Sequence, residues 1–412
     1  MILVREPEHD AARKVERSAA AVARWVEEHG YCAYDPGDGN LSFLHPLTFN
    51  VLILERLLQQ AVYRSPLNLR PLLGIKPHVS TKGMGYMAWG YVKLYASTGE
   101  PVYASRAKSC LDWLIANKTP FYPQYAWGNH FPFCTRGGKT PALQPIVPWT
   151  TLIGQTFIEA HAAFREPKYL EVIDSIADWL LRLPRERTES GTCISYVAFK
   201  QNSIHNSNML AGAFLAQAAR LTDKPGAVEA ARDAMVYSCS RQRADGAWMY
   251  GAATKYQWND NFHTGYNLDC LKRYIDATGD RAFDTNLRKG FEYFKTHFFE
   301  PDGRPKYYDN QTLPTDSQCA GQAIDTLTFF SGEDSSALPL AIKVANWTID
   351  HMQDRDGHFY YRDLGWTMAR TPMLHWAQGT IFKALTHLLS RLRRPELSGS
   401  ASTSATVGGR SA

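Results

Sequence analysis

The chain has 412 residues, 44% of them hydrophobic and 21% charged, which is apolar enough to bury a large core. Its 45 Lys and Arg against 40 Asp and Glu are spread along the chain, so the net charge of +5 forms no basic run of the kind that binds nucleic acid. No stretch approaches the roughly 18–20 apolar residues of a membrane span. At the start, Arg5, Glu6, Glu8, Asp10, Arg13 and Lys14 take the place of a signal peptide's apolar segment. The seven cysteines are scattered without a C-x-x-C spacing, so the sequence reads as a cytoplasmic protein with reduced thiols and no metal site or cofactor.

In chain order, an amphipathic stretch at 8–29 comes first, with Ala12, Val15, Ala19, Val22 and Val26 on one stripe. A further helix is expected at 47–64. From residue 82 a pattern then repeats: a polar or aromatic start, a glycine one or two turns later, and an apolar helix. The glycines are Gly85, Gly154, Gly212, Gly265, Gly321 and Gly379. A helix-interior glycine costs up to about 1 kcal/mol relative to Ala, so six recurrences imply that something approaches those backbones closely. Five of the helices end in short turns such as STGEPVY and ATGDRAF, which restart a second helix that is apolar on one stripe only. The two kinds of helix fit the inside and the outside of a ring. Five pairs fill 82–353, and a sixth inner helix at 371–393 takes the 8–29 segment as its outer partner. The expected fold is all-α, a six-pair (α/α)6 toroid forming one domain over 1–393. The tail from 394 to 412, which runs SGSASTSATVGGRSA from Ser398, is expected to be disordered.

The linkers at the other ends of the pairs are longer and rich in Tyr and Trp, and they read as short strands leading into a cleft. They deliver the candidate ligand contacts to the starts of the inner helices: Trp127, Asn129 and His130 in the long insertion 120–148, then Trp149, His205 and Asn206, Trp248, and Trp258. Asp260 and His263 are three residues apart at a helix start, which places an acid and a base on one face. Tyr266 continues that face. Asp316 and Gln318 repeat the pattern one helix later, and two carboxylates across a cleft are what glycosidic cleavage needs. Arg362, Arg370, His375, Trp376 and Gln378 complete the set, with arginine suited to clamp a uronate carboxylate.

The glycine-bearing helices, the hairpin turns and the segment NDNFHTGYNLD resemble the six-hairpin glycosidase superfamily, over roughly residues 80–393. That group includes unsaturated glucuronyl hydrolases, N-acylglucosamine 2-epimerases and α/α-toroid polysaccharide lyases, and the chain is similar also to toroid proteins encoded with bacterial exopolysaccharide genes. The resemblance implies a carbohydrate-active enzyme on an acidic oligo- or polysaccharide, with Asp260 and Asp316 in the place of the hydrolases' carboxylates. Asp260 is then the general acid, with His263 or His205 relaying protons. A lyase or epimerase would instead abstract a ring proton with His and Tyr, and a glycan-binding scaffold would need no carboxylate pair. Gln242 to Trp248 and Gln353 to Phe359 resemble the QW repeats of isoprenoid-cyclase toroids, which tie an outer helix to the following turn. The D-x-D-D acid of that cyclase chemistry is missing.

Overall fold

The computed structural model describes residues 6–393, so the tail expected to be disordered lies outside the described residues. Its helices in chain order are α1 (Glu6–Glu28), α2 (Leu52–Arg64), α3 (Thr81–Thr98), α4 (Pro101–Ala116), α5 (Val147–Phe164) and α6 (Pro167–Leu181). They continue with α7 (His205–Thr222), α8 (Ala227–Cys239), α9 (Asn261–Thr278), α10 (Asp284–His297), α11 (Ser317–Phe330), α12 (Ala337–Met352) and α13 (Thr380–Leu392). A π-helical turn, Leu374–Gly379, leads into α13.

Helices α3, α5, α7, α9, α11 and α13 pack each on the next, and α13 packs back on α3, so the inner ring closes. The architecture is the (α/α)6 toroid expected from the repeat. The outer helices show why the apolar stripe was narrower on them: α6 buries Tyr169, Val172, Ile173 and Ile176, whereas α7 is buried without a break from His205 to Ala216. Five of the six recurring glycines face a neighbouring inner helix, and Gly212 faces its outer partner α8, with Ala234 Cβ 3.0 Å from where a Cβ would stand. A Cβ on Gly154 would stand 2.5 Å from the Phe214 ring, and one on Gly379 would stand 3.1 Å from Tyr86 Cβ.

Helix α1 packs on α12 and α13 and is the sixth outer helix. The QW-like turns show the equivalence directly. Gln242 Nε2 donates to Gly246 O (2.8 Å) and to Asn286 O on the next outer helix (3.0 Å). Gln353 Nε2 likewise donates to Gly357 O (2.8 Å) and to Ser18 O on α1 (3.2 Å). Gly246 and Gly357 have φ of +98° and +105° and press on the backbones of Lys289 and Ala21, a conformation and a closeness open only to glycine.

The long linkers carry the short strands. Strands β1 (Phe133–Thr135) and β2 (Gly138–Thr140) form one hairpin, and β3 (Arg185–Thr188) and β4 (Gly191–Ile194) another. A three-stranded sheet joins β5 (Thr315–Asp316), β6 (Arg362–Asp363) and β7 (Met368–Ala369). Among the described residues no helix is long and apolar enough to cross a membrane.

Candidate active site

The starting ends of the inner helices meet at one mouth, and a cleft of about 780 Å³ opens there. Trp149 reaches it from the first turn of α5, and Asp260 and His263 from α9. His375 and Trp376 reach it from the π-helical turn, and Arg362 from β6. Around them stand Tyr196, Tyr250, Tyr256, Trp258, Tyr307 and Tyr308 from the linkers, and Arg56, Gln59, Tyr63 and Arg64 from α2. Flat aromatic faces beside amide and guanidinium donors suit the alternating apolar and hydroxyl faces of a sugar ring.

Two histidines in this cleft are each held by a buried aspartate. Asp260 caps α9: Oδ1 accepts from the backbone N of His263 (3.0 Å), and Oδ2 accepts from Trp258 Nε1 (3.0 Å) and lies 2.7 Å from His263 Nδ1. Trp258 stacks on Tyr250 at 4.4 Å, and Tyr250 in turn flanks the His263 ring at 4.6 Å. The second pair joins distant parts of the chain, with His375 Nδ1 2.7 Å from Asp35 Oδ2 and the ring edge-on to Trp149 at 4.8 Å. Burial pushes the His375 imidazolium down in pKa against the pull of Asp35. Burial also works against ionisation of Asp35, but His375 and His78 outweigh it and hold the carboxyl at about 2. At His263 the hydrogen bond to Asp260 fixes the tautomer and leaves Nε2 for chemistry, whereas Asp35 Oδ2 meets His375 as an ion pair outside hydrogen-bonding geometry, with Ser80 Oγ 3.5 Å from the same Nδ1. Among the described residues neither Nε2 has a hydrogen-bond partner.

Asp316 takes a different position. It is fully buried behind the cleft wall. Oδ1 accepts from Gln318 N (2.9 Å) and Trp376 Nε1 (2.6 Å), and Oδ2 accepts from Arg362 Nε (3.0 Å) and Nη2 (2.8 Å). Burial raises its pKa, with Arg362 opposing. The carboxylate thus aims Arg362 and Trp376, both of which line the cleft, and Arg362 also reaches Tyr63 Oη. Beneath Trp149 lies Lys82, buried, 5.0 Å from that indole and 5.3 Å from the Tyr86 ring. Burial lowers its ammonium to about 7.

Of the residues singled out in the sequence, Asn129, Trp149, Trp258, Asp260, His263, Arg362, His375 and Trp376 line this one cleft. The others lie elsewhere. His205 is buried against Ser238 (3.3 Å) and the Tyr237 ring, where burial lowers its pKa to about 4, and Asn206 is buried beside it. Trp127 and Trp248 are core side chains whose Nε1 atoms donate to Leu114 O and Ser238 O. Tyr266 and Gln318 form a buried chain under the floor, with Tyr266 Oη 3.0 Å from Tyr86 Oη and accepting from Gln318 Nε2 (2.9 Å). Gln378 closes a reciprocal pair with the backbone of Phe359. His130 packs edge-on against His78 at 4.3 Å, and the Arg370 guanidinium lies 5.0 Å over Tyr360. Sequence reasoning missed Asp35 and the cleft side chains of α2, the extra helix expected at 47–64, because neither belongs to a repeat. It also passed over Tyr307 and Tyr308, although their linker was marked by its aromatic content.

No family model matches the chain, and no curated protein matches it. Solved structures do. A sugar epimerase from a ruminal bacterium superposes with a TM-score of 0.60 over 76% of this chain and 88% of its own, at 12% identity. The GH76 α-mannanase of Bacteroides thetaiotaomicron gives 0.58 over 75% and 85%, also at 12% identity. A possible member of the GH105 family from Salmonella enterica gives 0.55 over 76% and 82%, at 14% identity. At such identities the likeness establishes the (α/α)6 toroid fold.

Proposed function

We propose that this protein is a carbohydrate-active enzyme that moves a proton on a sugar carbon, as an epimerase or isomerase of a reducing sugar. The observation that carries this reading is the pair of histidines, His263 and His375, each braced by a buried aspartate and each presented to the same aromatic cleft. One imidazole takes the proton from the carbon next to the open-chain carbonyl, and the C–H electron pair moves into the C–C bond as the carbonyl becomes an enediolate. The other histidine returns a proton to the opposite face of that carbon, so the C–H bond re-forms inverted and the atom count is unchanged. His375, whose charged form burial disfavours, suits the base, and His263 suits the acid. Each contributes about 10²–10⁴ in rate in this kind of catalysis.

Hydrolysis by the two carboxylates has weaker support. Asp316 is walled off from the cleft, and the oxygens of Asp260 are taken by its helix cap, Trp258 and His263. Arg56, Arg64 and Arg136 line the cleft without a carboxylate partner among the described residues, which supports an acidic group on the substrate. The similarity of fold to the sugar epimerase and the α-mannanase supports a sugar as ligand. The test is incubation of the protein with neutral and uronate-bearing reducing oligosaccharides in deuterated water. Deuterium on the carbon next to the carbonyl, without cleavage, is the expected result. New reducing ends would report a hydrolase, and ultraviolet absorbance from a conjugated double bond a lyase.

A further inference from the structure

Helix α2 and the turns around it carry a surface that the cleft does not use. Of the nineteen large hydrophobic side chains exposed among the described residues, eleven fall between Leu41 and Leu72. Phe49 and Leu72 are each 77% exposed, and Phe43, Leu47, Ile53 and Leu57 lie between 57% and 65%. Backbone bonds tie the segment together: Phe43 N donates to Leu73 O (3.2 Å), and Val51 N to Thr48 O (2.9 Å) at the start of α2. The inward side of α2 meanwhile supplies Gln59 and Tyr63 to the cleft wall. A monomeric protein leaves so large an apolar patch open only where something covers it.

The charges choose the occupant. The one acid between 41 and 77 is Glu55, which is fully buried and paired with His45 and Lys139. Arg70 is buried on Asp38 at 2.8 Å. What remains at the surface is cationic: Lys76 is exposed, and Arg64 and the half-buried Arg56 stand where the patch meets the cleft, whose mouth they also line. A second copy of the chain, packed patch to patch about a two-fold axis, would oppose these cations with their own images and offer them no acid. A bilayer with anionic headgroups takes the apolar side chains into its interfacial layer and neutralises the cationic rim in one contact. We propose that residues 41–76 dock this protein on an anionic membrane surface, with α2 as the shared wall between lipid and cleft. The cleft mouth then opens beside the headgroups. This inference does not rest on the proton-transfer reading.

Vesicle flotation of the full chain tests it, using phosphatidylcholine vesicles with and without phosphatidylglycerol. The wild type is expected to float with the anionic vesicles and to be released as salt is raised. Replacing Phe49, Ile53 and Leu57 together by Ser should weaken flotation by at least about tenfold with the circular dichroism spectrum unchanged. Lys76→Gln, which leaves the apolar side chains in place, should weaken it about fivefold. Failure of the wild type to float, or equal flotation on neutral vesicles, overturns the proposal. So does a wild-type dimer in sedimentation that the triple variant dissolves.

Discussion

Asp35 and His375 meet at 2.7 Å, although one stands just after the first helix and the other just before the last. The contact fastens the N-terminal segment over the closing turn of the ring and holds the ring of a histidine in the cleft. Asp260 does the same for His263. Both aspartates are positioning residues in this account, since neither has to touch substrate. Asp35→Asn and Asp260→Asn should each lower kcat by about tenfold or more while KM changes little, and should displace the pH–rate profile. A pH profile that stays fixed while KM rises would assign them to binding instead.

Asp316 holds Arg362 through two nitrogens inside the wall. Removing the carboxylate leaves a buried guanidinium without its counter-ion, which costs about 3–5 kcal/mol. Asp316→Ala should therefore shift the urea midpoint strongly. Arg362→Ala, which strands the carboxylate, should also destabilise the protein, and the double replacement should cost less than the sum of the two. Strict additivity would mean that the pair is not coupled.

His205 folds in its neutral form, its pKa held at about 4 by burial against an ordinary value of 6.5. The unfolded chain takes up this proton below pH 6.5 and the native chain does not. The stability is therefore fully present above 6.5 and is lost progressively as pH falls from 6.5 towards 4. At pH 5 the loss from this one group is about 2 kcal/mol. Urea unfolding at pH 7 and pH 5 should show a smaller decline for His205→Gln than for the wild type. Equal declines would show that His205 is not buried neutral.

Gly357 tests the closure of the ring. At φ +105° and with Ala21 O 2.7 Å from where a Cβ would stand, Gly357→Ala meets both backbone strain and a clash with α1. Strain alone costs about 1–3 kcal/mol. Thermal unfolding should fall accordingly, and a similar fall is expected for Gly246→Ala, where the turn presses on α10. A neutral Gly357→Ala would mean that α1 is not seated as the sixth outer helix.

The toroid was readable because its signals are periodic. Six glycines at close helix contacts, five of them within the inner ring, and five hairpin turns repeat one physical demand, and α1 could be assigned by counting helices. The site was only half readable. Residues at the starts of inner helices were identifiable by position, yet position does not say whether a side chain points into the cleft, as Trp149 and His263 do, or into the core, as His205 and Trp248 do. Nor does spacing reveal that the lone pairs of Asp316 are already in use. Asp35 and α2 reach the cleft through contacts across the whole length of the chain, which no local pattern records.

The central claim is that His263 and His375 share the work of moving one proton. Solvent-deuterium incorporation into a turned-over reducing sugar, read by NMR for the wild type, His263→Ala and His375→Ala, tests it most directly. The account expects incorporation by the wild type at the carbon next to the carbonyl and a fall of about 10²–10⁴ in each variant. Incorporation that survives in either variant, or wild-type turnover that cleaves the sugar without exchange, would contradict it.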